Sequence, residues 1–112
     1  MNMEEMMKKA QEAAELIQKQ MNDAQVKLDT VEVEGVSGGG LVKIRATAKG
    51  RILGVSIDDS LIVPEEKAIL EDLVTAAFND ARAKADQAAA REMQSIQQGM
   101  GLPPGFNLPG MG

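Results

Sequence analysis

The sequence has no cysteine, no histidine, no tyrosine and no tryptophan, and only two phenylalanines among 112 residues. Without cysteine there are no disulfides and no thiolate metal sites. Without histidine the commonest general base and the commonest transition-metal ligand are both missing. A core with so few aromatics must be built from aliphatic residues, Ala and Met. No run is long and apolar enough to span a bilayer, and the N-terminal stretch lacks the apolar segment of a signal peptide. The expectation is a soluble cytoplasmic protein. The net charge of −5 argues against a diffuse nucleic-acid binder but leaves room for a local basic patch. A chain of this length implies one domain and buries a modest fraction of its surface, so a second copy is an expected source of further burial.

What is present is organised around residues 31–57. Val31 and Val33 alternate with Glu32 and Glu34. Val42, Ile44, Ala46 and Ala48 alternate with Lys43, Arg45, Thr47 and Lys49, and Leu53, Val55 and Ile57 alternate with Gly54 and Ser56. A period of two with one apolar face predicts a half-buried antiparallel sheet. Gly38–Gly40 and Lys49-Gly50 mark the two turns, where glycine supplies positive φ, so the strands form a meander. A phosphate cradle is the sharper reading of the glycine triplet, but neither a helix N-terminus nor a Lys-Ser/Thr pair follows it.

Helices flank the sheet. From Met1 to about Leu28, the residues Met3, Met7, Ala10, Ala14, Ile17, Met21, Ala24 and Leu28 recur at spacings of four and three, a sustained heptad seam. Each lysine there has an acid four residues earlier (Glu4–Lys8, Glu5–Lys9, Glu15–Lys19, Asp23–Lys27), which predicts intrahelical ion pairs. Pro64 suits a first helical position, although Val63 before it offers no capping oxygen. The second helix is expected over 64–98. Its bulky stripe (Ile69, Leu70, Leu73, Val74, Ala77, Phe78) thins from Ala81 onward. At 1.5 Å per residue it extends about 50 Å, well beyond a strand of about 23 Å. The bulky half is therefore expected on the sheet, and the Ala-rich half is expected to project and pair with the Met/Ala half of the first helix. Residues 1–98 make one domain on this reading, and 99–112 a flexible Gly/Pro-rich tail. The fold class is α+β, α-β-β-β-α, with the helices overhanging a three-stranded meander as an arm.

The segments MMKKAQE, EVEG-x-SGGGLVKI, V-x-IDDSL, EEKAILEDLVTAAFNDAR and GMGLPPGF-x-LP occur in this order along essentially the whole chain. Together they resemble the YbaB/EbfC family of small bacterial nucleoid-associated proteins. The resemblance implies a homodimer likened to tweezers and duplex DNA bound largely through the long helices. It also implies effects on nucleoid organisation and gene expression, and location at the nucleoid.

The candidate DNA-contacting residues are Lys8, Lys9, Lys19, Lys43, Arg45, Arg82, Lys84 and Arg91. Each has a plainer explanation to set beside that role. The lysines of the first helix have intrahelical partners in prospect. Lys43 and Arg45 share a sheet face with Glu32 and Glu34, where cross-strand pairs form. Arg82 and Arg91 have no acid four residues before them, and arginine suits forked phosphate contacts. With so few aromatics, a base-stacking platform for single strands is not expected. Asp58-Asp59-Ser60 and Glu65-Glu66 are the dense carboxylate clusters, and both sit at turns or a helix start where such residues satisfy backbone donors. Neither catalytic nor metal residues, no cofactor and no small-molecule substrate are expected. The alternative function is a homodimeric adaptor that binds protein and has no DNA affinity of its own.

Overall fold

The structure, a computed structural model, describes residues 2–99. It is α+β: helix α1 (Met3–Leu28), strands β1 (Glu32–Ser37), β2 (Val42–Thr47) and β3 (Ile52–Ile57), then helix α2 (Lys67–Gly99). The molecule is a rod of 76 × 22 × 18 Å. The expected tail after residue 98 lies almost wholly outside the described residues.

Local signals account for the element ends. Asn2 caps α1, its Oδ1 accepting the Glu5 amide at 2.8 Å, with Glu4 and Glu5 in the favourable first turn. Gly38, Gly39 and Gly40 all take positive φ, so the β1–β2 connection demands this triplet. The next element is β2 rather than a helix, so the phosphate-cradle geometry is absent from this loop. Val63 makes no side-chain cap, and a short 3-10 turn, Pro64–Glu66, leads into α2.

The sheet is antiparallel in the order β1-β2-β3. Its inner face carries Gly35, Val42, Ile44 and Ala46, and α2 packs across β1 and β2. The core gathers Val42, Ile44, Leu61, Ala77 and Ala81, with Leu70, Leu73 and Val74 at its margin. Three expectations need correction here. First, Leu53 is not the inward residue of β3. A bulge at Arg45/Ala46 puts Ile52 opposite Ala46 and Val55 opposite Ile44, so Ile52, Val55 and Ile57 share the inner face.

Second, the thin Ala stripe does not begin beyond the sheet. Ala77, Ala81 and Ala85 are buried, while Ile69 and Phe78 are 50% and 39% exposed. The cause is Gly35: a Cβ there would overlap the Ala77 carbonyl oxygen and the Ala81 amide nitrogen. The α2 backbone rests on the β1 backbone, and at such an approach only alanine fits.

Third, α2 does not pair with the N-terminal half of α1. The facing groups are Gln20, Asp23, Ala24 and Lys27 on α1 and Glu92, Ser95 and Ile96 on α2. The reason is length. The first half of α2 packs on β1 and β2, which leaves Glu92, Ser95 and Ile96 to meet α1. Near its end α2 places Ile96 in the pocket that Gln20 lines, and the preceding turns of α1 are uncovered by the other described residues.

Candidate nucleic-acid interface

The eight basic candidates fall on three surfaces. Lys8, Lys9 and Lys19 are exposed on α1. None of them lies within 4.0 Å of a carboxylate among the described residues, so the expected intrahelical pairs are absent. The fourth expected pair, Asp23–Lys27, is replaced by a link between helices: Lys27 Nζ sits 3.2 Å from Glu92. The extended helical surface therefore presents α1 ammonium groups free of close counter-charges, while Lys27 fastens the arm.

On α2 the candidates divide. Arg91 is exposed and, among the described residues, has no carboxylate within 4.0 Å. Arg82 is not unpartnered, because Asp86, one turn later, lies 3.5 Å away. Both side chains are more than two-thirds exposed, so this pair is weak and open to exchange with a phosphate. Lys84 has a different task. Its ammonium donates to the Glu34 carbonyl at 2.8 Å and sits 2.9 Å from Asp80. Asp80 in turn accepts the Val36 amide at 2.9 Å. These two side chains satisfy the outer edge of β1 and tie it to α2, blunting that edge against further pairing. The Val36 amide, with Lys84 second, holds the Asp80 carboxyl below its ordinary range. The spacing of Asp80 and Lys84 marks their ion pair, but no sequence signal marks their link to β1, since Asp80 and Val36 are 44 residues apart.

Lys43 and Arg45 stand on the outer sheet face, which no helix among the described residues covers. Arg45 lies opposite Glu34 but reaches diagonally to Glu32 at 4.0 Å, and its guanidinium passes over Gly54. The surface is mixed in charge, as cross-strand pairing predicts. At the hairpin end, Arg51 makes a forked contact with Asp29, at 3.1 and 3.2 Å, joining the sheet to the end of α1.

The carboxylate clusters are structural in geometry. Asp58 accepts the Ser60 hydroxyl at 2.6 Å and the Ser60 amide at 3.0 Å, and these bonds lower its pKa. Among the described residues, no helix is long and apolar enough to cross a membrane.

Residues 1–100 match the family model described as the YbaB/EbfC DNA-binding family. A protein of Nitrobacter hamburgensis called "Nucleoid-associated protein" is 54% identical over 97 residues, covering 87% of this chain and 91% of its own. A Rickettsia felis protein of the same name is 45% identical over 96 residues, covering 86% and 90%. The crystal structure of an uncharacterized protein from Helicobacter pylori superposes with a TM-score of 0.57 at 23% identity, covering 79% of this chain and 98% of that one. That likeness speaks to the fold alone.

Proposed function

The chain belongs to the YbaB/EbfC DNA-binding family, and from that premise we propose that it works as a nucleoid-associated homodimer gripping duplex DNA through its helical arms. The observation that carries the reading is that Lys8, Lys9 and Lys19 on α1 and Arg91 on α2 are exposed, with no carboxylate within 4.0 Å among the described residues. Arg82 adds a cation that can trade Asp86 for a phosphate. Lys84 contributes mainly by holding α2 on β1. Lys43 and Arg45, neighbours of Glu32 and Glu34, are the weaker surface.

Contacts of this kind are to the backbone, so binding is sequence-tolerant and falls with salt. The dimer is supported by an apolar strip that one protomer leaves open. Ile52 is 45% exposed, Val55 49% and Phe78 39%, and all three border the inner face of β3 that α2 leaves bare. Two protomers joined there would carry two arms, one on each side of a gap, with every phosphate contact doubled. Occupancy of nucleoid DNA in this manner would affect its organisation and the expression of genes within it.

The test is a mobility-shift titration of duplex DNA at two salt concentrations. Replacing Lys8, Lys9 and Arg91 by Ala should weaken binding on every sequence and flatten log K against log salt by about 0.9 per lost contact. Replacing Lys43 and Arg45 should do less. If the sheet pair abolishes binding and the arm variant leaves it intact, the sheet face is the DNA surface. A wild-type chain without affinity even at low salt would establish the adaptor function instead.

A further inference from the structure

The seam of α1 is covered over only half its length. Ala24 and Leu28 are buried, and Ile17 and Met21 are partly covered. Ahead of them the same heptad positions are bare. Met3 is 76% exposed, Met7 60% and the neighbouring Met6 59%, while Ala10, Ala13 and Ala14 are exposed with them. Ile96, close to the end of α2, lines the same pocket as Gln20, and the α1 residues ahead of Ile17 are all exposed. About four turns of helix thus extend a packed seam into solvent with no covering element among the described residues.

We propose that this seam is a second self-association surface, on which the α1 tips of two protomers from different dimers pair antiparallel. The complementarity is in the sequence itself. With a two-fold axis between Lys8 and Lys9, Met3 faces Ala14 of the partner and Met7 faces Ala10 of the partner. Met6 then flanks Ala13 of the partner. Each long, adaptable side chain meets a methyl, so the helices interlock without a clash of bulky residues. The flanks raise no electrostatic objection, because Glu4 comes beside Gln11 of the partner. Lys8 and Lys9 point away from the seam and stay available to phosphates. The contact is isologous and self-complementary, and each residue is used twice.

Four turns are short for an independent coiled coil, so the free association is weak. It strengthens when dimers are held near one another, because a shared tether raises effective concentration. Dimers bound along DNA supply such a tether. Tip pairing would then link bound dimers, or bridge two duplexes, without any change in the DNA contacts.

The chain has no native cysteine, which makes cross-linking a clean test. Full-length chains carrying Met7→Cys and Ala10→Cys are mixed and mildly oxidised. The tip register predicts a disulfide-linked pair several-fold above that from Glu5→Cys mixed with Glu12→Cys, two outward positions on the same turns. The link should persist when Val55→Asp is added to both chains, since the tip contact does not use the β3 face. At concentrations well above micromolar, where the weak tip contact becomes populated, a Met7→Lys substitution should remove species heavier than the dimer in light scattering and leave the dimer. Cross-linking no better than the outward control overturns the proposal. So does loss of the link with Val55→Asp, which would make the tip contact a by-product of the β3 interface. A link that forms only after deletion of residues 100–112 would show the chain's own tail on the seam and overturn it equally.

Discussion

Gly35 is where the two layers of the molecule touch. A methyl group there would strike backbone atoms of α2 at Ala77 and Ala81, and would come within 2.6 Å of the Ala81 Cβ. Backbone in the middle of a helix cannot rotate aside, unlike the end of a flexible side chain. Gly35→Ala should therefore cost at least the about 3 kcal/mol that tops the usual range for overpacking. Urea unfolding checks this, and a loss under about 1 kcal/mol would mean the helix can lift from β1 at little cost. Asp80 gives the second expectation at this scale. Its carboxylate is stabilised by the Val36 amide and Lys84, so its folded pKa lies below the unfolded one. The unfolded chain then binds more protons through that window. The stabilisation is complete above the unfolded pKa, about 3.9, and is lost as pH falls through the folded value. Thermal melts from pH 7 down to pH 3 should show a steeper acid loss for the wild type than for Asp80→Asn. Parallel curves would mean that other carboxylates set the acid limit.

At the scale of elements, the local chemistry was legible and the contacts between elements were not. Alternation marked the strands, a glycine triplet marked a turn that requires positive φ, and a heptad seam marked α1. The β3 bulge escaped because strict alternation holds within each strand, and a slipped register shows only when two strands are laid side by side. Reading Ala81 and Ala85 as projecting had a related cause. Bulk in a helical stripe usually tracks burial, but here the close approach at Gly35 reverses the relation and the smallest side chains lie deepest. The ion pairs expected along α1 rest on spacing alone and do not form among the described residues, and Lys27 meets a better-placed acid on α2 where the helices touch. Among the DNA candidates, sequence could list the cations. It could not separate Lys84, recruited by the β1 edge, from Arg91, which keeps no carboxylate within 4.0 Å among the described residues.

For the whole molecule, the two edges of the sheet are unlike. β1 is sealed by Asp80 and Lys84 and covered by α2, while β3 is an uncharged strand with Ile52 and Val55 about half exposed. An edge and face of that kind favour a partner over water. Val55→Asp places a charge at the centre of the strip. Val55 is 49% exposed in one protomer, so the charge can stay hydrated and the protomer should still fold. In a two-fold interface the same substitution sets two carboxylates face to face in an apolar surrounding, which is strongly unfavourable. Light scattering at micromolar concentration should then give a dimer mass for the wild type and a monomer mass for the variant. DNA binding should follow, because a monomer keeps its own arm and loses the partner's. With half the phosphate contacts, the slope of log K against log salt should drop to about half its wild-type value. A folded variant that retains the dimer mass would move the interface away from β3. A true monomer with an undiminished slope would show that one arm suffices, and that the second copy serves some end other than grip.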